Sequence, residues 1–289
     1  MLSSYSMHPV AHRRWPNSQN RIASPGADDV GIARSAVRRG WPPLAFLGIL
    51  IAAWEAWVRL ANVDPAVLAP PTDVARALVA TSATLTRHAG TTLAETAIGL
   101  IIGVLVGVGV ATLVAASSGV RRTVEPLLVA LQTIPPIVLA PILVLALGFG
   151  WAPRIVVVVL IVFFPVAIAA AGAFATVDVE RVDLIRSLGG TRTDVLRRVT
   201  FPGALPAIFD GIRISAAYSV AGAAIAEQIG GARSGLGLYI VRSQRSFRAD
   251  QVIAGVVVIA GLSLLIYALV TVAASRATPW LAKTPTETT

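Results

Sequence analysis

The sequence predicts an all-α integral membrane protein with six transmembrane helices. Of its 289 residues, 55% are hydrophobic and 13% are charged, and the mean hydropathy is +0.75. Soluble domains usually carry about 25% charged residues, so this chain has far less charge than a soluble domain. Six apolar stretches are close to the roughly 20 residues that a helix needs to cross the hydrocarbon core. Together these observations exclude a soluble protein with a single core.

The six predicted spans are 43–60, 92–115, 127–147, 154–175, 206–227 and 252–274. Between the first two, Thr72-Asp73 is an N-cap signal, which predicts a short amphipathic helix that does not cross the membrane. The expected organisation is a flexible basic tail (1–41), the first transmembrane helix with an external connector (42–86), a membrane core (87–275) and a second tail (276–289).

The distribution of arginines predicts the orientation. With the N-terminus inside, the inner segments together hold 15 Lys and Arg residues and the outer segments 8, which places both termini in the cytoplasm. The formal net charge of +9 is therefore attributed to membrane topology and anionic lipid, and not to nucleic acid. No apolar run begins early enough for a secretory signal, so the first span is expected to be an uncleaved helix.

Several kinds of chemistry are excluded by what the sequence lacks. It has no cysteine, and its single lysine, Lys283, lies in the C-terminal tail, where it cannot complete a phosphate-binding loop. His8, His12 and His88 show no metal-ligand spacing, and no nucleophile lies in a pattern with a base. We therefore expect no enzymatic activity, no metal and no cofactor on this chain.

The most informative polar segment is 178–206, between the fourth and fifth spans. It is too polar to cross a membrane and is rich in helix-forming residues. Apolar residues recur every third position on one helix face, and acidic residues occupy the first turns, where they favour the helix dipole. The apolar residues are Val182, Ile185 and Leu188, and the acidic ones are Asp178, Glu180 and Asp183.

A sharp bend is predicted after this first helix. Gly189-Gly190 is a C-terminal stop that tolerates positive φ, and Thr191 or Thr193 can cap a second short helix that ends near Pro202. The pattern indicates a helix, a tight turn and a second helix on the cytoplasmic face. An amphipathic helix that only lies on the lipid surface is the alternative.

The third span contains Pro135, Pro136 and Pro141, which remove intrahelical hydrogen bonds and bend a helix. In lipid, the freed carbonyl groups need partners inside the protein or in a watery cavity. Gln132 and Thr133, just before the bend, are candidates to supply those partners or to line a solute pathway, the alternative being a structural kink. In the second span, a glycine at every fourth position (Gly99, Gly103, Gly107) favours close helix packing.

Charged residues inside the spans form a second group of candidates. Asp210 and Arg213 are three residues apart at the start of the fifth span, which predicts an intramembrane charge pair. Glu227 is expected at the outer end of the same helix, beside a loop with four arginines that would attract anionic solutes or lipid. Glu55 and Glu95 are expected to be lone acids in the first two spans, with no basic partner three or four positions away. They are candidates for proton sites of a carrier, and the alternative is that they snorkel to the interface or face neighbouring helices.

The segment 178–206 resembles the cytoplasmic loop of permease subunits of bacterial ABC importers. In that family an acidic residue is followed six positions later by a glycine and then by a Leu-Pro pair; the corresponding residues here are Asp183, Gly189 and Phe201-Pro202. The resemblance assigns Leu184, Ile185, Leu188 and Gly190 to the same loop. Asp replaces the usual Glu, Leu184 and Ile185 replace alanines, and Phe201 replaces Leu.

The resemblance extends from about residue 66 to residue 275 and is closest to permeases for nitrate, sulfonates, taurine and thiamine precursors. It rests on short segments in a shared order: Leu68-Ala69-Pro70-Pro71, His88 with Thr91-Thr92-Leu93, Ile134-Pro135-Pro136, Gly211-Ile212-Arg213, Ala226-Glu227 and Gly235-Leu236-Gly237.

This resemblance implies the translocation subunit of an ATP-driven importer in the bacterial inner membrane. The short cytoplasmic helix would dock on a separate ABC ATPase subunit, present in two copies, and an extracytoplasmic solute-binding protein would meet the outer face of a homodimer. The solute would be a small anionic or polar compound. The competing interpretations are an ion- or proton-coupled carrier without an ATPase and a polytopic membrane enzyme.

Overall fold

The computed structural model describes residues 28–116 and 118–280, and every regular element in these ranges is helical. Because transmembrane segments must satisfy their own backbone hydrogen bonds, this is the expected architecture for so apolar a chain. The helices are α1 (Asp28–Leu60), α2 (Pro71–Ala80), α3 (Ser82–Ala116), α4 (Ser118–Leu131), α5 (Ala140–Leu147), α6 (Trp151–Ala175), α7 (Val179–Ser187), α8 (Arg192–Val195), α9 (Phe201–Ile229), α10 (Leu236–Arg245) and α11 (Ala249–Ala277).

Four helical runs in the described residues are long and apolar enough to cross a membrane: α3, α6, the run from α8 through α9, and α11. The third predicted span is broken. Arg122–Leu131 and Pro136–Leu147 meet at an angle of 81°, and this bent pair counts as a fifth span if it crosses as one unit. The first predicted span, 43–60, lies within α1 and is not among these helices, so the predicted total of six stays a prediction.

The chain divides into two compact units, Met1–Ala53 and Trp54–Thr289. In the first unit, the described residues form the beginning of α1. Residues 28–41, which belong to the predicted flexible tail, lie in α1, and the tail itself stays a prediction. Helix growth is cooperative once nucleated, and the stretch Ile32 to Arg39 contains mostly good helix formers. Residues 1–27 and 281–289, which hold the rest of the two predicted tails, lie outside the described residues.

The core of the second unit is formed by α3, α6 and α9. Fully buried valines on α6, among them Val158, Val162 and Val166, pack against Ile208 and Ile212 of α9. The glycines of α3 permit a close approach, because a Cβ on Gly103 would lie 2.6 Å from the Val162 Cβ. The structure thus confirms the predicted packing role of Gly99, Gly103 and Gly107.

We expect Gly103→Ala to destabilise the bundle by about 1–3 kcal/mol, the usual cost of overpacking a tight core. The added methyl group would also lie 2.9 Å from the Val159 carbonyl oxygen, which cannot move without shifting α6. The measurement is the free energy of unfolding in mixed micelles. Gly109→Ala on the same helix is the control, since among the described residues no atom beyond the adjacent backbone of α3 lies within 4 Å of its added Cβ. Equal effects at both positions would contradict the packing role.

The short helix predicted after the first span is present as α2, but its cap differs from the prediction. Its N-cap residue is Pro70, which offers no side-chain acceptor. The Thr72 amide instead donates to Glu55 Oε2 of α1, at 3.0 Å. Glu55 also pairs with Arg59 one turn later. The expectation that Glu55 has no basic partner nearby in the sequence was therefore wrong.

Candidate functional site

The cytoplasmic loop forms the predicted helix, turn and helix. Helix α7 begins after Asp178, whose carboxylate accepts a hydrogen bond from the Glu180 amide at 3.0 Å. Such an N-cap satisfies a backbone donor that the helix itself leaves unpaired. The helix ends at Ser187, and Leu188 is its C-cap residue.

Two glycines close α7 for different reasons. Gly189 has φ of +80°, a conformation that costs a residue with a side chain about 1–2 kcal/mol. Gly190 has no such requirement, but a Cβ there would lie 2.7 Å from the Ile185 carbonyl oxygen. The Gly190 amide donates to the same oxygen at 2.9 Å. The turn is therefore rigid, and the sequence pattern identified both residues correctly.

The second helix of the loop is capped by Thr191, which resolves the choice between Thr191 and Thr193. Its hydroxyl accepts from the Asp194 amide, while Asp194 accepts from the Thr191 amide at 2.9 Å, which is a complete capping box. The predicted end of this helix near Pro202 is wrong, because the chain stays helical through this proline. A π-turn over Leu196–Thr200 widens the helix ahead of the proline, which lacks an amide proton, and the chain continues directly into α9.

Helix α7 presents an apolar pair to solvent. Leu184 is 59% exposed and Leu188 is 77% exposed, and their spacing of four places them on one helix face. Val182 and Ile185 are half-buried, so the predicted three-residue stripe divides between two faces. The Asp183 side chain is exposed and lies 4.0 Å from Arg186. A short, capped helix with exposed leucines is suited to contact another protein.

The break in the third span lies where the sequence predicts it. After Leu131 the chain leaves the helix, Gln132 and Thr133 form a turn, and a short 3-10 turn begins at Pro136. The Thr133 hydroxyl donates to the Ala130 carbonyl at 2.7 Å, so it supplies one of the partners that a broken helix needs. The Gln132 side chain is exposed. Pro135 precedes the 3-10 turn as its N-cap residue.

The predicted charge pair in α9 is present: Arg213 donates to Asp210 at 2.7 Å. It lies on the outward face of the helix, where the Asp210 side chain is 65% exposed. Tyr218 and Gln228 are also exposed on this helix. A transmembrane helix that exposes charged and polar groups usually faces another protein or a water-filled cavity rather than lipid.

Glu227 is buried and not exposed at the outer surface, which refines the expectation for this residue. Its Oε1 accepts from the Thr92 hydroxyl and its Oε2 from the Gly237 amide, both at 2.7 Å. The Thr92 hydroxyl also accepts from the Leu236 amide at 2.9 Å, and His88 Nδ1 accepts from the Gly235 amide at 2.8 Å. The first amides of α10 are thus satisfied by side chains from α3 and α9.

Glu95 has a basic partner in the structure, although none is close to it in the sequence. It is fully buried and forms an ion pair with Arg154 of α6, whose side chain is 4% exposed. The Arg154 Nε also donates to the Gly150 carbonyl at 2.7 Å. Arg154 is the first residue of the fourth predicted span, and the structure places it inside the bundle. The pair with Arg154 gives Glu95 a structural role in the bundle; a proton-coupling role for Glu95 stays untested.

Sequence reasoning missed this buried polar cluster, which consists of His88, Thr92, Glu95, Arg154, Glu227 and the amides of 235–237. A signal was available, because a carboxylate within an apolar stretch needs a partner in the bundle. The partner could not be identified from nearby residues, since Arg154 is 59 positions from Glu95 and Thr92 is 135 from Glu227.

We expect Thr92→Val to destabilise the protein by about 1–3 kcal/mol, because it leaves the buried Leu236 amide without an acceptor and removes one donor from Glu227. The valine has nearly the same shape, so packing is unchanged. Thr86→Val is the control, since in the described part of the chain the exposed Thr86 hydroxyl donates only to the Ser82 carbonyl of its own helix. Unfolding in mixed micelles distinguishes the two, and equal stability of both variants would contradict the role of Thr92.

The chain is similar to known transport proteins. A family model described as "Binding-protein-dependent transport system inner membrane component" matches residues 99–279. A probable ABC transporter permease of Haemophilus influenzae is 31% identical over 78% of this chain and 91% of its own length. The formylaminopyrimidine transport permease ThiX of Halalkalibacterium halodurans is 31% identical over 83% of this chain and 96% of its own.

Another curated relative and a solved structure are also similar to this chain. The taurine transport permease TauC of Escherichia coli is 31% identical over 81% of this chain and 87% of its own. Among solved structures, a chain of the inward-facing MetNI methionine ABC transporter gives a TM-score of 0.61, at 22% identity, over 68% of this chain and 98% of that one. This structural likeness concerns the fold alone.

Proposed function

Because the chain belongs to the family of binding-protein-dependent transport system inner membrane components, we propose that it works as a homodimer whose cytoplasmic loops engage two copies of a separate ATPase subunit. The chain is the permease of an ABC importer, as its relatives are. The observation that carries the proposal is the rigid loop of α7 and α8, which presents Leu184 and Leu188 to solvent.

The mechanical requirement supports this role for the loop. A switch between inward- and outward-facing states needs a helix bundle with two packed arrangements. ATP binding to the ATPase subunit can favour one of these arrangements only if the ATPase transmits force to the bundle. The π-turn joins α8 to α9 without a break. A displacement of α7 and α8 by the ATPase is therefore passed directly to the helix that carries Asp210 and Arg213. In this proposal α7 is the coupling helix.

The outward face of α9 supports the homodimer. It exposes the Asp210–Arg213 pair and Tyr218, which would be costly to leave in lipid. A second copy placed against this face covers these groups or encloses them in a shared aqueous pathway. Gln132, Thr133 and the break at Pro135 and Pro136 would line the same pathway.

The complete topology has six spans, with α1 as the first and the bent pair as the third, and both termini in the cytoplasm of a bacterial cell. The extracytoplasmic solute-binding protein would dock at the other face, near the α10 loop with its exposed arginines. No cofactor on this chain is needed for this role, because the nucleotide chemistry takes place on the ATPase subunit.

We propose that the solute is a small polar or anionic organic compound. Relatives are permeases named for formylaminopyrimidine, taurine and aliphatic sulfonates. Exposed arginines Arg233, Arg242 and Arg245 at the outer face favour the approach of an anion. Selectivity itself is expected to reside mainly in the binding protein.

Uptake into proteoliposomes tests this function. The chain is reconstituted with its ATPase and binding protein, and radiolabelled taurine, an alkanesulfonate and formylaminopyrimidine are offered in turn. We expect uptake of one of them that requires both ATP and the binding protein and that persists after the proton gradient is collapsed. Uptake driven by the gradient without ATP would identify a secondary carrier and refute the proposal.

A further inference from the structure

A cavity of about 700 Å³ lies where the cytoplasmic loop meets the bundle. It is bordered by the ends of α3 and α6, by α7 and α8, and by the π-turn that follows α8. A cavity of this size is large enough for a small organic ligand. The proposed function makes no use of it, because its walls lie behind the exposed face of α7 that carries Leu184 and Leu188.

The polar part of the cavity wall is cationic and rich in hydroxyl groups. Two arginines, Arg186 and Arg192, line it together with Thr112, Thr193 and Thr200. The Asp183 carboxylate lies 4.0 Å from Arg186, at the limit of an ion pair, and is itself 67% exposed. Within the described part of the chain, Arg192 has no carboxylate within 4.0 Å. Two guanidinium groups thus border this space with little neutralisation.

The nearby acidic residue Asp194 is engaged elsewhere. It closes the capping box with Thr191 and lies 3.7 Å from Arg198, which does not line the cavity. In the described residues, the hydroxyl groups of Thr193 and Thr200 make no hydrogen bond, so both are available to a ligand. Guanidinium and hydroxyl donors around one space are the groups that bind phosphate oxygens.

The remaining wall is apolar. Ala115 of α3, Phe174 and Val177 near the end of α6, and Val182 and Leu196 of the loop complete the cavity. The site lies at the ends of α3 and α6, two helices long and apolar enough to cross a membrane, so lipid headgroups are expected close to it. A space with cations on one side and apolar walls on the other fits a phosphate group that is attached to a hydrophobic stem.

We propose that this cavity binds the phosphate of an anionic phospholipid through Arg186 and Arg192, with its glycerol and first acyl carbons against the apolar wall. Basic pockets between transmembrane helices are known to suit such headgroups. A free phosphate ion has the same anionic chemistry but would leave the apolar wall unfilled. The proposed lipid site rests on the proposed function in one respect: the topology of the importer places the cavity at the inner leaflet of the membrane.

Native mass spectrometry of the full-length chain, with the subunits that co-purify, tests the site. Phosphatidylglycerol is titrated in a background of phosphatidylcholine, and bound lipid is counted. We expect the double variant Arg186→Gln/Arg192→Gln to bind phosphatidylglycerol about 25-fold more weakly, at about fivefold for each arginine. If the double variant does not purify as a monodisperse species, Arg192→Gln alone carries the test, with an expected fivefold loss.

The matched control is Arg181→Gln/Arg197→Gln, which removes two positive charges from the same loop at positions that do not line this cavity. We expect wild-type affinity in this control. Equal losses in both double variants, or no loss in the first, would overturn the proposal, since the effect would then be general surface charge or absent.

Inorganic phosphate alone distinguishes the two sources of the ligand. If millimolar phosphate leaves phosphatidylglycerol binding unchanged, the ligand is the lipid. If it displaces the lipid and raises the melting temperature of wild type but not of Arg192→Gln, the site binds a soluble phosphate through the same residues. A preparation in which the ATPase abolishes lipid binding would show that a protein partner covers the cavity, and this result would overturn the proposal.

Discussion

Replacing Arg154 with methionine should lower the free energy of unfolding by about 3–5 kcal/mol, the loss expected when one member of a buried ion pair is removed. Glu95 is fully buried, and its Oε2 already has no hydrogen-bond partner in the described residues. Without Arg154, its Oε1 would lose its counter-ion as well. The uncompensated carboxylate would then have to be protonated or hydrated inside the bundle.

The double variant Glu95→Met/Arg154→Met makes this prediction specific. Replacing both partners of a buried ion pair by hydrophobic side chains of similar size is often nearly neutral, so we expect the double variant to recover most of the stability lost in Arg154→Met. Unfolding in mixed micelles provides the free energies for the cycle. Arg248→Met, which breaks the exposed pair with Asp250, is the control and should change stability little. A fully stable Arg154→Met would refute the buried pair.

Gly189→Pro should abolish solute transport while the ATPase continues to hydrolyse ATP. Proline fixes φ near −65°, whereas Gly189 has φ of +80° and its amide donates to the Arg186 carbonyl at 2.9 Å. The substitution therefore destroys the turn that joins α7 to α8, and the bundle itself is unchanged. Asp183→Arg, which reverses an exposed charge on α7, should uncouple transport in the same way.

Gly189→Asn is the conservative control, because asparagine tolerates the left-handed conformation better than other side chains. We expect Asn to retain most of the transport rate and Pro to reduce it at least tenfold, with similar membrane insertion for both. The measurement is the ratio of solute transported to ATP hydrolysed in proteoliposomes. Normal coupling in Gly189→Pro would show that this turn does not transmit force.

The predictions for Gly189 and Arg154 differ in what they rest on: the first on local sequence, the second on contacts between distant segments. The turn at Gly189-Gly190 and the caps at Asp178 and Thr191 depend on residues within a few positions of one another, so local conformational rules identify them. Two local predictions in this loop were wrong: the single apolar stripe of α7 and the end of α8 near Pro202. Pro202 is a strong local stop signal, but the π-turn before it adjusts the backbone and lets the helix continue into α9.

The buried cluster around Glu227 depends instead on contacts between distant segments. The sequence places Glu95 and Glu227 in apolar stretches and Arg154 beside one, but helical periodicity gives no distance between α3, α6 and α9. The same holds for α2, whose N-terminus is capped by Glu55 from another helix. The cavity lined by Arg186 and Arg192 likewise forms only when the loop folds back on the ends of α3 and α6.

The sequence by itself determined that this protein is a helical membrane protein with a rigid polar loop, because long apolar runs must form helices in lipid and glycine and threonine fix local turns. The tertiary structure alone decided which charges are neutralised, which helix ends are capped by other helices and which faces stay open. Those outcomes depend on the packing of side chains that are far apart in the chain, and the free energy of a buried charge is set by that packing.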